Sequence, residues 1–420
     1  MYTLLLTHRS HHILNQLIFI TISTMSGLHT IVVIGASYGG LPVAHDLLKN
    51  VLPASGKEYK LVLVNPSEEF YWKVGAPRAI TRPEMLPMEK ALLNFLPTFE
   101  KYGNKFQFIK GKVTALDSSS KTIEVNTGDK ISYDQVVIAS GTYFDNDIWS
   151  TSRGTEALKN EVADLHRKLP NAQTIMVAGG GPCGVETAGE LGEAYGGKKE
   201  IILLSGGDRL LNRTVNKKPS QLSQQYLEKM GVTVTHKVQV KSTVKEGDKT
   251  VVTLSNGETK TVDVYIGAVG DKPNNSFVPK DWLTERGQIK TDPNTLRVNV
   301  PGVTGVYCVG SVGSYSDGSI LDTKLAFKAA VESVKLDLNG TGKSRFSLDG
   351  GAMVNEIADA GPRTKNIYKK ITAEMLFVPV GSQQGVGLAF GWKLPSMVIK
   401  MAKAKDYMIG NAPKLIEGQA

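Results

Sequence analysis

The sequence predicts an α/β fold: two Rossmann-like dinucleotide-binding domains plus a small C-terminal α+β domain. Three observations predict it. A short apolar strand, a glycine-rich turn and an amphipathic helix follow one another from Thr30. The same order of elements returns about 140 residues later, from Thr174. Beyond Gly350 the composition changes to a mixed tail with one strand-like and one helix-like stretch. The boundaries expected are 1–27 for a leader, 28–152 with 267–350 for the first dinucleotide domain, 153–266 for the second, and 351–420 for the tail.

Taken in order, Thr30-Ile31-Val32-Val33-Ile34 is a β-branched apolar run of the kind buried on both faces of a parallel sheet. Gly35 to Gly40 makes the turn, Leu41 to Lys49 carries helical periodicity, and Lys60 to Val64 is the next strand, completing a βαβ unit. Lys105 to Gly111, Lys112 to Asp117 and Thr122 to Asn126 read as three short antiparallel strands appended to this unit, with Gly128-Asp129 as a turn. Gln135 to Ala139 then ends on Ser140-Gly141. In the second unit Thr174 to Ala178 is the strand, Gly179 to Gly184 the turn, Val185 to Tyr195 the helix and Ile201 to Leu204 the following strand. Val251 to Leu254, Asn256-Gly257 and Thr259 to Val264 repeat the hairpin, and Tyr265 to Gly270 and Gly305 to Gly310 are strands closing on glycine. In the tail, Met375 to Val380 reads as a strand and Pro395 to Met408 as a helix.

Composition sets the outer limits. Hydrophobic residues at 41% and charged residues at 21% are ordinary globular usage, which argues against disorder. The net charge of +9 suits anionic partners in general, but no dense Lys/Arg run with interleaved aromatics marks a nucleic-acid face, so nucleic acid is not an expected partner. The two cysteines, Cys183 and Cys308, form no CxxC pair and therefore neither a dithiol relay nor a zinc ribbon. Outside the leader His29, His45, His166 and His236 lack metal-ligand spacing, so no metal is expected.

The first residues stand apart from the fold. No acidic residue occurs before Asp46, and the apolar run Ile13 to Ile20 is shorter than the roughly 20 residues that span a bilayer. A targeting segment and an extension made dispensable by a start at Met25 both remain open. The corresponding expectation for location is cytoplasmic or mitochondrial, with or without a membrane contact.

A glycine turn between strand and helix lets backbone amides approach a pyrophosphate at the positive end of a helix. The second turn has all three glycines of that pattern, Gly179, Gly181 and Gly184. The first, Gly35-Ala36-Ser37-Tyr38-Gly39-Gly40, has Ser37 where the middle glycine stands. The residue ending the second strand of each unit discriminates the ribose, and here it is Asn65 and Ser205, neither acidic. Ser205 with Arg209 nearby leaves both NADPH and NADH open.

These motifs, with Tyr133 to Gly141 and Gly305-Val306-Tyr307-Cys308-Val309-Gly310, resemble the FAD-dependent pyridine nucleotide-disulphide oxidoreductase superfamily. Within it the chain looks most like the apoptosis-inducing-factor-like and ferroptosis-suppressor-protein-like branch, over roughly Thr30 to Asn411. The resemblance implies a glutathione-reductase-like arrangement, with FAD in the first unit and NADPH or NADH in the second. It places Gly35 to Gly40 on the FAD pyrophosphate, Arg78 on the flavin and the Val113 backbone at the adenine. Gly141, Gly310 and Ser311 would lie beside the cofactor, and Glu186 and Lys73 near the nicotinamide–flavin junction as catalytic candidates. A helix-terminal acid and a solvated lysine are the plain alternatives for that pair. Where the superfamily ends this last phrase in Gly-Asp, this chain has Gly310-Ser311, which replaces a charge-assisted bond by a neutral one.

The implied function is hydride transfer from nicotinamide to FAD and on to a quinone-like or other small acceptor, without a dithiol. Two alternatives stay open: a low-turnover flavin-binding redox-signalling or cell-death factor, to which Ser311 points, and a metabolite-tailoring flavin oxidoreductase. The stretch Trp392 to Lys405 alternates apolar residues with lysines. It reads either as a helix lying on a membrane or as a core-covering helix with a solvated lysine face.

Overall fold

The computed structural model describes residues 27–340 and 367–419. The expected leader and the junction at 350/351 lie outside those residues, Gly27 excepted.

The first unit is a five-stranded parallel sheet in the order Val306–Cys308, Gln135–Ile138, His29–Ile34, Tyr59–Asn65 and Phe106–Lys110. Its strands read as unbroken apolar runs because both faces are covered: Ile31, Val33, Leu61, Leu63 and Val137 all lie fully buried. Each such side chain contributes roughly 1.5–3 kcal/mol through the water it sheds. The helix Ile320–Leu338 closes one face, its first turn capped by the Ser319 hydroxyl, which accepts the Asp322 amide at 2.9 Å.

The second unit is a four-stranded parallel sheet, ordered Val232–His236, Glu200–Ser205, Thr174–Ala178 and Val264–Gly267. Each unit inserts one antiparallel three-stranded appendage, before Gln135–Ile138 in the first and before Val264–Gly267 in the second. In the first this is Val113–Asp117, Thr122–Val125 and Lys130–Ser132; in the second, Val240–Glu246, Lys249–Leu254 and Thr259–Val262. The duplication therefore extends beyond the glycine turns.

Two sequence expectations need correction here. Phe106–Lys110 is not part of the appendage but the edge of the main sheet, paired parallel to Tyr59–Asn65 with Leu63 opposite Phe108. A parallel partner requires a long crossover, and residues 66–105 supply it. Val240–Glu246 was not foreseen as a strand because its side chains are nearly all exposed and polar, so no alternation betrays it.

The tail forms a small antiparallel sheet of Leu376–Pro379, Gly385–Ala389 and Trp392–Lys393. A short helix, Ser396–Ile399, continues through one wider turn, Lys400–Ala404, and crosses this sheet at Gly385 and Gly387. A side chain at either glycine would collide with Ile399, which is why the phrase reads Gly-Val-Gly. The helix ends earlier than the expected Met408, because Tyr407 and Met408 both take positive φ (52° and 57°) and turn the chain away.

Candidate functional site

Both glycine turns stand at the carboxyl edge of their sheets, where ligands bind in open α/β folds. They are built alike. In the first, the Gly35 amide donates to Val64 O and the Ala139 amide to Ile34 O, each at 2.8 Å; in the second, Gly179 donates to Leu204 O and Ala268 to Ala178 O, again at 2.8 Å. A Cβ on Gly40 would overlap Gly35 O, and one on Gly184 would overlap Gly179 O. Both positions thus hold the helix start against the strand end. A Cβ on Gly181, by contrast, would meet nothing within 4 Å. The turn is thus open at Gly181, which leaves room for the close approach of a pyrophosphate.

Asn65 sits buried at the end of its strand and holds the first turn: its Oδ1 accepts the Ala36 amide at 3.0 Å and its Nδ2 donates to Ser67 O at 2.7 Å. One donor and one acceptor of the amide remain for a ribose. Tyr38 turns its ring inward against Phe70 and Trp72, so of the residues from Gly35 to Gly40 it contributes backbone and packing. Ser37 is half-buried. The strand ends bring Gly141, Gly310 and Ser311 to the same edge: a Cβ on Gly141 would lie 3.8 Å from Ser311 Oγ, which bonds Thr142 Oγ1 at 3.5 Å. Val113 opens the appendage strand opposite Val125, next to a bulge.

In the second unit Ser205 is buried against Gly180 and its hydroxyl donates to Arg209 O at 3.2 Å. The Arg209 guanidinium folds back on its own loop and donates to the carbonyls of Asn212 (3.2 Å) and Thr214 (2.5 Å). Its remaining Nη1 is buried without a partner among the described residues.

The two units meet along the helix Pro182–Tyr195, where Glu186 and Glu190, one turn apart, are both buried. Glu186 takes a hydrogen bond of 2.5 Å from Lys403 Nζ, on the tail helix. Burial raises the Glu186 carboxyl above the ordinary carboxylate range, against the pull of Lys403. Glu190 receives Arg78 through two prongs, Nε to Oε2 at 3.0 Å and Nη2 to Oε1 at 2.9 Å, and the Tyr407 hydroxyl donates to Oε1 at 3.2 Å. Arg78 also donates to Ala404 O and Lys405 O, each at 2.8 Å, so four of its five N–H groups are engaged within the protein. Lys73, on the short helical turn just before that of Arg78, makes no ion pair among the described residues, and burial pushes its ammonium down to about 8. Glu186 and Lys73 are therefore not each other's partners.

Sequence reasoning missed Lys403, Glu190 and Tyr407. The i, i+4 spacing of Glu186 and Glu190 was a signal, because two acids on the inner face of a nucleotide helix need cations. Lys403 gave none: it looks like any other lysine of the tail.

Residues 29–330 match the sequence pattern described as pyridine nucleotide-disulphide oxidoreductase. The chain belongs to that family. It is 32% identical over 423 residues to oxidoreductase phnG of Penicillium herquei, covering 94% of this chain and 98% of that one. Ferroptosis suppressor protein 1 of Taeniopygia guttata is 23% identical, covering 93% and 96%. Among solved structures the chain is similar in fold to a sulfide:quinone oxidoreductase from Aquifex aeolicus, with a TM-score of 0.60, 17% identity and coverage of 74% and 77%. This family member is a flavoprotein NAD(P)H oxidoreductase whose cofactors are FAD and NAD(P)H, and the second turn, open at Gly181, fits a pyrophosphate. Among the described residues no helix is long and apolar enough to cross a membrane.

Proposed function

We propose that this oxidoreductase holds FAD on the Gly35–Gly40 turn and NAD(P)H on the Gly179–Gly184 turn, and passes reducing equivalents directly to a quinone-like small molecule. The observation that carries the direct route is the state of the thiols. Cys308 is fully buried in the first sheet and Cys183 lies on the helix of the second unit; both are free, and burial raises both thiols well above their ordinary range. This chain thus offers no dithiol to relay electrons, and an acceptor must come to the flavin itself.

FAD, when bound, supplies the chemistry of taking up a hydride and passing electrons onward. The protein's part is to bind and orient. The two turns fix the pyrophosphates, Asn65 offers its free amide positions to a ribose, and Ser311 presents a hydroxyl beside Gly141. The paired Glu186–Lys403 and Glu190–Arg78 keep the inner face of the helix neutral overall and closed to water.

The test is steady oxidation of NADH and NADPH by the FAD-loaded protein with a water-soluble quinone. Turnover on the order of 10 per second supports the reading. Flavin that NAD(P)H reduces but no quinone reoxidises would overturn the acceptor. A second reading, a low-turnover redox-signalling protein, draws on Ser311, since a neutral hydroxyl holds a ribityl chain less firmly than a carboxylate. Loss of FAD on gel filtration, with no turnover, would favour it.

A further inference from the structure

We propose that the hairpin tip Phe390–Trp392 and the outer side of the helix after it dock on the surface of an anionic phospholipid bilayer. Five large apolar side chains are exposed within twelve consecutive residues: Phe390 (68%), Trp392 (80%), Met397 (62%), Val398 (40%) and Met401 (75%). Elsewhere among the described residues, exposed large apolar side chains occur singly or in pairs. A concentration of this kind marks an interaction surface rather than ordinary exposure.

The backbone at the tip is strained to make it. Phe390 and Gly391 form a two-residue turn between Ala389 and Trp392, with φ of 51° and 81°. Such turns favour Asn, Asp or Gly at the first position, and a bulky aromatic there is an outlier. The fold leaves that aromatic side chain mostly exposed to solvent.

Charge selects the occupant. From Met375 to Lys405 there is no acidic residue, while four lysines fall at 393, 400, 403 and 405. Lys403 turns inward to Glu186, which leaves Lys393 and Lys405 exposed and Lys400 half-buried, none of them in an ion pair among the described residues. The nearest acids in the chain, Glu374 and Asp406, border the segment, and Glu374 is occupied by the amides of Val215 and Asn216. Apolar side chains and tryptophan flanked by unpaired lysines suit a headgroup layer carrying negative charge. A second copy of this chain, docked face to face about a twofold axis, would set these lysines against themselves.

The helix thereby has two tasks on two sides: Met397 and Met401 face outward, and Lys403 reaches the buried carboxylate of the nucleotide helix. Docking does not depend on which acceptor is used; it adds to the proposed function a route by which a lipid-dissolved acceptor arrives.

Tryptophan emission and sedimentation with vesicles test this on the full-length, FAD-loaded protein. Of the four tryptophans, Trp72, Trp149 and Trp282 are buried, so a change in emission reports Trp392. With vesicles of phosphatidylcholine and phosphatidylserine we expect a blue shift and sedimentation, both weakened by salt and by pure phosphatidylcholine. Phe390→Ser with Trp392→Ser should lower partitioning at least tenfold while leaving oxidation of NAD(P)H with a water-soluble quinone unchanged. Changing Lys393, Lys400 and Lys405 to Gln should remove the preference for phosphatidylserine. Wild-type protein that stays in the supernatant at low salt, or sediments as well as the double variant, would overturn the proposal. A blue shift that grows with protein concentration without vesicles would do so too, assigning the surface to a second copy. A protein that binds vesicles but oxidises no NAD(P)H would overturn the acceptor reading alone.

Discussion

Glu186 and Lys403 meet at 2.5 Å although 217 residues separate them in the chain. Their contact ties the helix of the second dinucleotide unit to the last turn of the tail helix. Next to it Arg78, from the first unit, engages Glu190 on the same helix and the carbonyls of Ala404 and Lys405. Three stretches of chain remote in sequence therefore converge on one row of buried carboxylates.

Removing the cation from this row leaves an uncompensated buried charge. Lys403→Met is expected to cost about 3 kcal/mol of stability. The double variant Lys403→Met, Glu186→Gln should recover a large part of that loss. Thermal unfolding of the three variants checks this, and losses that simply add would show that the pair is uncoupled.

Gly181 and Gly184 should respond differently to the same change. Gly181→Ala has room for its methyl group and is expected to leave the unfolding temperature unchanged. It should raise the KM for NAD(P)H about tenfold or more, by crowding the pyrophosphate. Gly184→Ala overlaps Gly179 O and is expected to lower stability as well. Equal KM values for wild type and Gly181→Ala would detach this turn from nucleotide binding.

Ser311→Asp restores the charge-assisted bond that the superfamily pattern carries. Tighter retention of FAD, by roughly fivefold or more, is the expected outcome, read from flavin released on dilution. Weaker retention would mean that Ser311, beside Gly141, faces something other than the flavin chain.

His45 couples the tail to the first unit and predicts a pH dependence. Its Nε2 donates to Ile416 O at 2.7 Å, its Nδ1 accepts from the Tyr102 hydroxyl at 2.9 Å, and its ring stacks on Phe99. Burial lowers its pKa from 6.5 to about 4. Between those values the unfolded chain binds more protons than the folded one, so this contribution is complete above pH 6.5 and is lost as pH falls. The expected loss is about 3 kcal/mol by pH 4. Urea unfolding between pH 7 and 4 should show a shallower slope in His45→Gln than in wild type; equal slopes would refute the assignment.

Much of this architecture could be read from residues alone, for reasons that differ by element. Ile31 to Ile34 and Thr174 to Ala178 are unbroken apolar runs followed by glycine turns, and nothing but a buried strand feeding a phosphate-binding helix explains both signals together. Val240–Glu246 escaped because an exposed strand has no burial to imprint a period on its sequence. The Gly35–Gly40 and Gly179–Gly184 turns were legible because Gly40 and Gly184 each answer a collision with the carbonyl of the glycine that opens the same turn, so the spacing itself carries the signal. The Glu186–Lys403 and Arg78–Glu190 pairs were not, since the i, i+4 spacing of the two acids calls for cations but nothing in the sequence says which ones.

The distance in sequence between Glu186 and Lys403 has a consequence for synthesis on the ribosome. The helix emerges with Glu186 lacking its cation: Arg78 and Arg82, which pair with Glu190, have already been made, but Lys403 and the residues that brace Arg78, Ala404, Lys405 and Tyr407, have not. At roughly 5–20 residues per second, Lys403 follows Glu186 by about 10 to 40 seconds. For that interval the nascent second unit carries an open carboxylate seam. A message cut short before codon 403 would yield a product lacking that closure, exposed to chaperones and proteases.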